Sequence, residues 1–484
     1  MMRRRSFLKY VATGAATAAL WPHGFSHAAF PVAGSKPNIL VIYCDDLGYG
    51  DLGCFGHPRI KSPHLDGLAK EGMKLSNSYA ACPICSPSRG GLLTGRTPER
   101  LGMVNFIPEG STENGYLHSE ELTVAELLRD EASYTTGVFG KWHVTPDFDT
   151  PAYCPDAHGF DYWFATPNLA KNESSTHEKK FVGIDPDNFV RNGTPVGLLS
   201  GYPTDFDVDE CIDWLEGGTT PSRDTSKPFF AYVAIHAPHD IVETPAEDRA
   251  LYSDLDEAHQ YYYGKVTQTD RAVGRLLAAL DRLGLADSTW LWFTSDNGPE
   301  PNEYHQYGNY DRSRGVATPC KGDKTDLYEG GIREVSIMRW PGRIHPGSTS
   351  DEPVSVVDLL PTCAALAGIP ESTYRDRQAG GETIPVDGMD ISPVFAGGSL
   401  TRTTPLYWQY TGATWPQDRY QYAIRVGDWK LLSQNGTTAD LLYNLRKDPA
   451  EQHNLVSTET ARRDDLLVQM VEMKNSVTAD PLKP

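Results

Sequence analysis

The segment Cys85-Ser86-Pro87-Ser88-Arg89 brings a sulfur nucleophile, two hydroxyls and a guanidinium together in one short stretch. Ser86 can cap a helix that Pro87 opens, which predicts residue 85 beside a helix N-terminus, where free N–H groups and the helix dipole favour anions. A nucleophile there could meet an anionic ester, and Arg89, one turn later, could orient residue 85 and offset negative charge. Taken alone, a cysteine near a helix start is more often a small buried hydrophobe than a reactive group. Cys82-Pro83-Ile84-Cys85 also matches a redox Cys-x-x-Cys, the rival use of the same sulfur. Elsewhere, apolar runs end in residues able to do chemistry: Asp45-Asp46, Gly140-Lys141, His236 and Asp296. Adjacent acids after a strand more often form a solvated turn or a helix cap than a metal site.

Such residues need elements to hold them. Continuous apolar runs at 38–44, 136–139, 229–235 and 290–294 suit strands buried on both faces. Between them lie helical patterns at 65–73, after Ser62-Pro63, and at 122–132. A longer amphipathic pattern at 259–283 puts Val266, Val273, Leu276, Leu277 and Leu280 on one face. The alternation predicts an α/β fold: a large, mainly parallel mixed sheet flanked by helices. Ligands in such folds sit beyond the carboxyl ends of the strands, where the polar residues fall. After about residue 400, short strand patterns at 405–410, 422–426, 429–433 and 441–444, with Asn435-Gly436 as a turn and a helix at 459–477, predict a smaller antiparallel-sheet subdomain. The expected division is a catalytic domain over 29–400 and an α+β subdomain over 401–484, with the Gly/Pro-rich stretch 380–398 as a linker.

The 484 residues, 39% hydrophobic and 22% charged, are enough for one large domain and a smaller one. A formal net charge of −20 argues against nucleic acid or an anionic membrane surface as partner. An anionic small substrate would need a local group of Lys, Arg, His and metal to outweigh that field at short range. Arg4-Arg5-Ser6-Phe7-Leu8-Lys9, an Ala-rich stretch and Ser26-His27-Ala28 read as a twin-arginine export signal over 1–28. Its removal takes away Arg3, Arg4, Arg5 and Lys9 and no acid, so the net charge of −20 becomes −24. No other run approaches the ~18 apolar residues of a membrane span, so the mature chain is expected to be soluble in the periplasm or cell exterior. The eight cysteines (44, 54, 82, 85, 154, 211, 320, 363) fit neither a zinc site nor a disulfide scaffold. An oxidising compartment permits one or two bridges among the seven other than Cys85.

From Cys85 to Gly95 the chain resembles the formylglycine-dependent sulfatases, matching their Cys-x-Pro-Ser-Arg, apolar pair and Thr-Gly without a departure. Further segments resemble that family in its own order: Asp45 to Asp51 after a first strand, Gly140-Lys141-Trp142-His143, His236-Ala237-Pro238-His239, Ser295-Asp296-Asn297-Gly298, and Tyr328 to Arg333. The resemblance implies an alkaline-phosphatase-like sulfatase fold and a maturation enzyme that oxidises Cys85 to an aldehyde, formylglycine. Its hydrate would offer one hydroxyl to attack sulfur and another to expel sulfate, dividing one hard hydrolysis into two easier steps. It also implies a metal site of Asp45, Asp46, Asp296, Asn297 and residue 85; a hard, all-oxygen set favours calcium, with magnesium possible.

By the same resemblance Lys141 and Lys324 bind sulfate, with Lys321 a nearby alternative to Lys324, and Asp296 serves as the base for the attacking hydroxyl. His143 takes the proton of the second hydroxyl, His236 protonates the leaving oxygen, and His239 is support or a substrate contact. Glu329 and Arg333 are expected to pair beneath the site. A sulfated carbohydrate is the expected substrate ahead of an aryl sulfate, and 300–319 could shape the choice. The alternatives are a phosphonate or phosphate monoester hydrolase using the same site, and an inactive glycan-binding homologue.

Overall fold

Along the strand Asn38–Asp45 the side chains alternate between two cores: Ile39, Val41 and Tyr43 face one, Leu40, Ile42 and Cys44 the other. A strand buried on both faces shows no polar alternation, and this is why the sequence run is continuously apolar. The computed structural model describes residues 36–168, 189–197, 199–239, 242–301, 314–412 and 419–482. The expected export signal and most of the stretch 300–319 lie outside the described residues.

Among the described residues the main sheet has ten strands. Its spatial order is Ser348–Ser350, Met73–Leu75, Ile337–Arg339, Thr289–Ser295, Asn38–Asp45, Phe229–Pro238, Thr135–Lys141, Tyr162–Thr166, Val190–Arg191 and Thr194–Pro195. The run from Thr289–Ser295 to Tyr162–Thr166 is parallel throughout, and antiparallel partners join it at both sides. The helices Pro63–Glu71, Pro203–Glu216 and Glu257–Arg282 cover one face through Leu65, Trp214, Val273 and Leu276. Cys85–Thr94, Val124–Ala132 and Leu359–Ala367 cover the other through Leu92, Leu127 and Leu360. The α/β class and mainly parallel mixed sheet are as the sequence predicts.

A second, antiparallel sheet of Leu406–Gln409, Tyr422–Val426, Trp429–Ser433 and Leu441–Asn444 follows in simple up-and-down order. The helix Thr460–Thr478 packs Leu466, Met470 and Val477 on one of its faces. The opposite face, through Trp408, Ala423 and Leu432, packs against Cys82, Ile84 and Cys85. The small sheet therefore backs the segment that carries residue 85.

Two expectations need correction. The stretch 380–398 is not a loose linker: Ile384, Ile391, Val394 and Phe395 are buried, and the N–H groups of Asp387 and Gly388 both donate to Gly95 O at 3.0 Å. Its glycines and prolines punctuate a packed segment, because apolar residues lie between them. The permitted disulfides are also not formed: all eight cysteines are free. Cys44 and Cys211 pack as small hydrophobes in one core, Cys154 and Cys363 in the other.

The last helix is tied to the main body by buried charge. Asp480 accepts from Arg96 Nη2 at 2.6 Å and from Arg100 Nη1 at 3.2 Å, and both arginines are 2% exposed. Without Asp480, Arg96 keeps Glu121 at 3.3 Å and Arg100 keeps Asp387 at 2.9 Å, but two buried cations lose an acid they share, and under-compensated buried charge is costly. Asp480→Ala is therefore expected to cost about 3 kcal/mol of stability, measured as a lower urea midpoint with an unchanged m-value.

Candidate active site

Residue 85 is itself the first residue of the helix Cys85–Thr94, so the helix starts earlier than a cap at Ser86 would allow. Ile84 holds the N-cap position without a side-chain bond. The Ser86 hydroxyl, already inside the first turn, accepts the Ile107 N–H at 3.0 Å. Cys85 is 3% exposed, and burial pushes its thiol up, against the lowering pull of Lys141 and Lys324. At the other end Gly95 closes the helix at φ +69°, its N–H donating to Gly91 O at 3.0 Å. That left-handed position suits glycine.

Asp45, Asp46 and Asp296 come from the carboxyl ends of adjacent strands. They are fully buried and each offers a carboxylate oxygen within 4.8 Å of the others. Charge is balanced from three sides. Lys141 Nζ donates to Asp45 Oδ2 at 2.6 Å, Lys324 Nζ to the Asp46 carboxylate at 2.7 Å, and Arg89 to Asp296 Oδ2 through Nε at 3.0 Å and Nη2 at 2.6 Å. Arg89 Nη1 also donates to Lys141 O at 3.0 Å, so its bonds fix Asp296 and the Lys141 strand end and do not reach residue 85. Burial, then the Asp45 charge, pushes the Asp296 carboxyl up to about 7 despite Arg89. Burial also works to raise Asp45, but Lys141, His239, Arg89 and Lys324 together hold it well below the usual carboxylate range.

Asn297 Nδ2 donates to Asp46 Oδ1 at 2.6 Å. Its Oδ1, like Asp45 Oδ1, is buried and has no hydrogen-bond partner among the described residues. Unpaired buried oxygens are costly and call for a partner. Together with three crowded carboxylates they form a donor set that fits a hard divalent cation such as calcium. Gly298 allows the close approach behind it: a Cβ there would stand 1.9 Å from Gly330 O.

The four ring residues divide clearly. His143 Nε2 lies 3.1 Å from Ile107 O; a carbonyl only accepts, so that nitrogen carries the hydrogen and Nδ1 keeps the lone pair. Nδ1 is buried with no partner, and burial, then Lys141 and Arg89, holds the ring well below its ordinary value, hence neutral. His236, expected to protonate the leaving oxygen, has both ring nitrogens engaged within the protein. Its Nδ1 is 2.8 Å from Asp207 Oδ2 and its Nε2 2.8 Å from Thr166 Oγ1, which occupies both ring atoms. It still lies within the strand Phe229–Pro238, whereas His239 follows the strand's end. His239 Nε2 is 3.6 Å from Asp46 Oδ2, and burial pushes this ring down to about 3 despite Asp46 and Asp45. The fourth ring, His158, belongs to a separate packing contact with Trp142. His239 is the residue that sequence reasoning undervalued; its place just past a strand's carboxyl end was the available signal. His239→Asn is expected to lower kcat on the order of 100-fold or more with little change in melting temperature. His236→Asn should act mainly on stability, a contrast read by kinetics and thermal melts side by side.

Of the two lysine candidates, Lys324 reaches the cluster, while Lys321 Nζ sits 3.9 Å over the Tyr328 ring. Glu329 does pair with Arg333, at 3.6 Å, but its closer partners are Tyr79 Oη at 2.6 Å and Lys430 Nζ at 2.9 Å. A separate cleft of about 780 Å³ lies against Arg333, Arg402, Arg425 and Arg446. Each is tied to a protein partner: Ser76 O, Asp358, Tyr79 and Asp428 respectively.

Residues 37–369 match the family profile described as sulfatase, and 322–476 match that described as N-sulphoglucosamine sulphohydrolase, C-terminal. The chain is 33% identical to arylsulfatase A of Bos taurus over 481 residues, covering 91% of this chain and 87% of that protein. It is 31% identical to N-acetylgalactosamine-6-sulfatase of Canis lupus familiaris over 503 residues, covering 95% and 90%. Among solved structures, Ps i-CgsB in complex with k-i-k-neocarrahexaose aligns with a TM-score of 0.77 at 29% identity, covering 93% of this chain and 94% of that one.

Proposed function

We propose, since the chain belongs to the sulfatase family and is a sulfuric ester hydrolase, that it hydrolyses a sulfate monoester of a carbohydrate at residue 85 and the acids around it. The observation that carries this reading is one convergence. Lys141 and Lys324 bond Asp45 and Asp46 at 2.6 and 2.7 Å and lower the Cys85 thiol against its burial, and the carboxylates of the Asp45-Asp46 pair and of the distant Asp296 meet within 4.8 Å.

In this reading Cys85 is the precursor of formylglycine, whose hydrated aldehyde supplies the attacking hydroxyl and a second one that expels sulfate. A calcium ion held by Asp45, Asp46, Asp296, Asn297 and residue 85 would add positive charge against the ester oxygens. The remaining work belongs to this chain's side chains. Lys141 and Lys324 neutralise a dianionic transition state in a site where burial strengthens each charge. Arg89 keeps Asp296 oriented, and Asp296 takes the proton of the attacking hydroxyl. His143 accepts the proton of the second hydroxyl at Nδ1, the lone pair that its bond to Ile107 O leaves open. His239, and not His236, is assigned to the leaving oxygen; an anionic ester beside it would offset the burial that holds the ring near 3 and let it carry the proton it passes on.

The likeness to a structure holding k-i-k-neocarrahexaose and to N-acetylgalactosamine-6-sulfatase supports a glycan as the substrate class. The leader Arg4-Arg5 adds export, and with it action outside the cytoplasm. No helix of the described residues is long and apolar enough to cross a membrane. Paired aryl sulfate and aryl phosphate esters test the reaction class: higher kcat/KM on the sulfate is expected, and preference for phosphate or phosphonate contradicts it. Mass spectrometry of the peptide carrying Cys85 tests the modification, and an unmodified thiol in active material from a native host refutes it. Sulfate released from a panel of defined sulfated saccharides then identifies the glycan.

A further inference from the structure

The loop that carries Lys324 is held by a residue from outside the catalytic cluster. Thr325, the next residue, has φ +72°, a left-handed conformation that a β-branched side chain resists. Its N–H donates to Pro83 O at 2.8 Å, and the N–H of Lys324 donates to Pro299 O at 2.9 Å. One end of this unfavourable turn is thus fastened near residue 85 and the other near Asn297. Something must hold Thr325 there.

Arg419, just before the strand Tyr422–Val426 of the small sheet, does so. Its Nη1 donates to Thr325 Oγ1 at 2.6 Å and to Lys324 O at 3.2 Å. The same guanidinium lies 3.4 Å from Asp326 and 3.6 Å from Asp323. Two acids of the loop therefore offset its charge. We propose that Arg419 is a positioning residue for sulfate binding: the small sheet uses it to lock Thr325 and so to fix the Lys324 ammonium beside residue 85. The proposal rests on the sulfatase reading above.

Matured, metal-loaded enzyme tests it, with inorganic sulfate as the probe. Arg419→Ala is expected to raise KM for the sulfate ester and the inhibition constant of inorganic sulfate on the order of tenfold. A residue that acts through another shows no further effect once that other is gone. On a Lys324→Ala background the same change should therefore alter both constants by less than about twofold. Thr325→Val, which keeps the shape and removes the accepting hydroxyl, should weaken sulfate inhibition in the same direction and fall equally silent with Lys324→Ala. It carries the cycle should Arg419→Ala fail to fold. Losses that multiply across the double variants overturn the proposal, as does unchanged sulfate inhibition in Thr325→Val. Wild-type enzyme without turnover of any sulfate ester overturns the sulfatase reading instead.

Discussion

Cys85→Ala is expected to lower kcat/KM toward a sulfate ester by about 10⁵-fold, the scale seen when a catalytic nucleophile is removed and the rest of a site remains. The protein should stay folded. Position 85 is the first residue of its helix, alanine is a good helix former, and loss of one buried sulfur costs about 1 kcal/mol. A melting temperature within a few degrees of wild type would therefore assign the loss to chemistry. Cys85→Ser separates the two halves of the proposed reaction. A single hydroxyl can attack but cannot regenerate itself by elimination, so at most about one equivalent of alcohol per enzyme is expected, against many from the parent. Sustained turnover by either variant contradicts the proposed nucleophile.

Removing the divalent ion is expected to have the next largest effect, a fall on the order of 10³-fold or more in kcat/KM, restored by calcium. Stability supplies an independent readout. Three carboxylates crowded within 4.8 Å repel one another, and a cation that binds only the folded state raises its melting temperature with concentration. Asp45→Asn removes one of these charges and leaves Lys141 without its carboxylate at 2.6 Å. This variant should lose most of both the calcium-dependent stabilisation and the activity. Activity and melting temperature that ignore chelator and calcium alike would contradict the metal assignment.

The central strands were legible because burial on both faces leaves an uninterrupted apolar signal, and the four strands of the small sheet because turns such as Asn435-Gly436 separate short apolar runs. Local rules failed where distant partners decide. The start of the Cys85 helix has no side-chain cap to read. His236 is occupied by Asp207 and Thr166, 29 and 70 positions away, a pairing that no local pattern announces. Glu329 finds Lys430 and Tyr79 as well as the expected neighbour Arg333. The stretch 380–398 carries the glycines and prolines of a linker, yet four apolar side chains anchor it and two of its N–H groups donate to Gly95 O at the end of the Cys85 helix.

The depth of residue 85 has a consequence in time. A thiol with 3% of its surface exposed, packed against the small sheet, is beyond the reach of another protein's catalytic groups. Any partner that alters this side chain must meet it while the polypeptide is still open, so alteration and folding run as competing clocks. The fraction of competent enzyme made in a given host then reflects how long the nascent segment stays accessible as well as how much of that partner the host supplies.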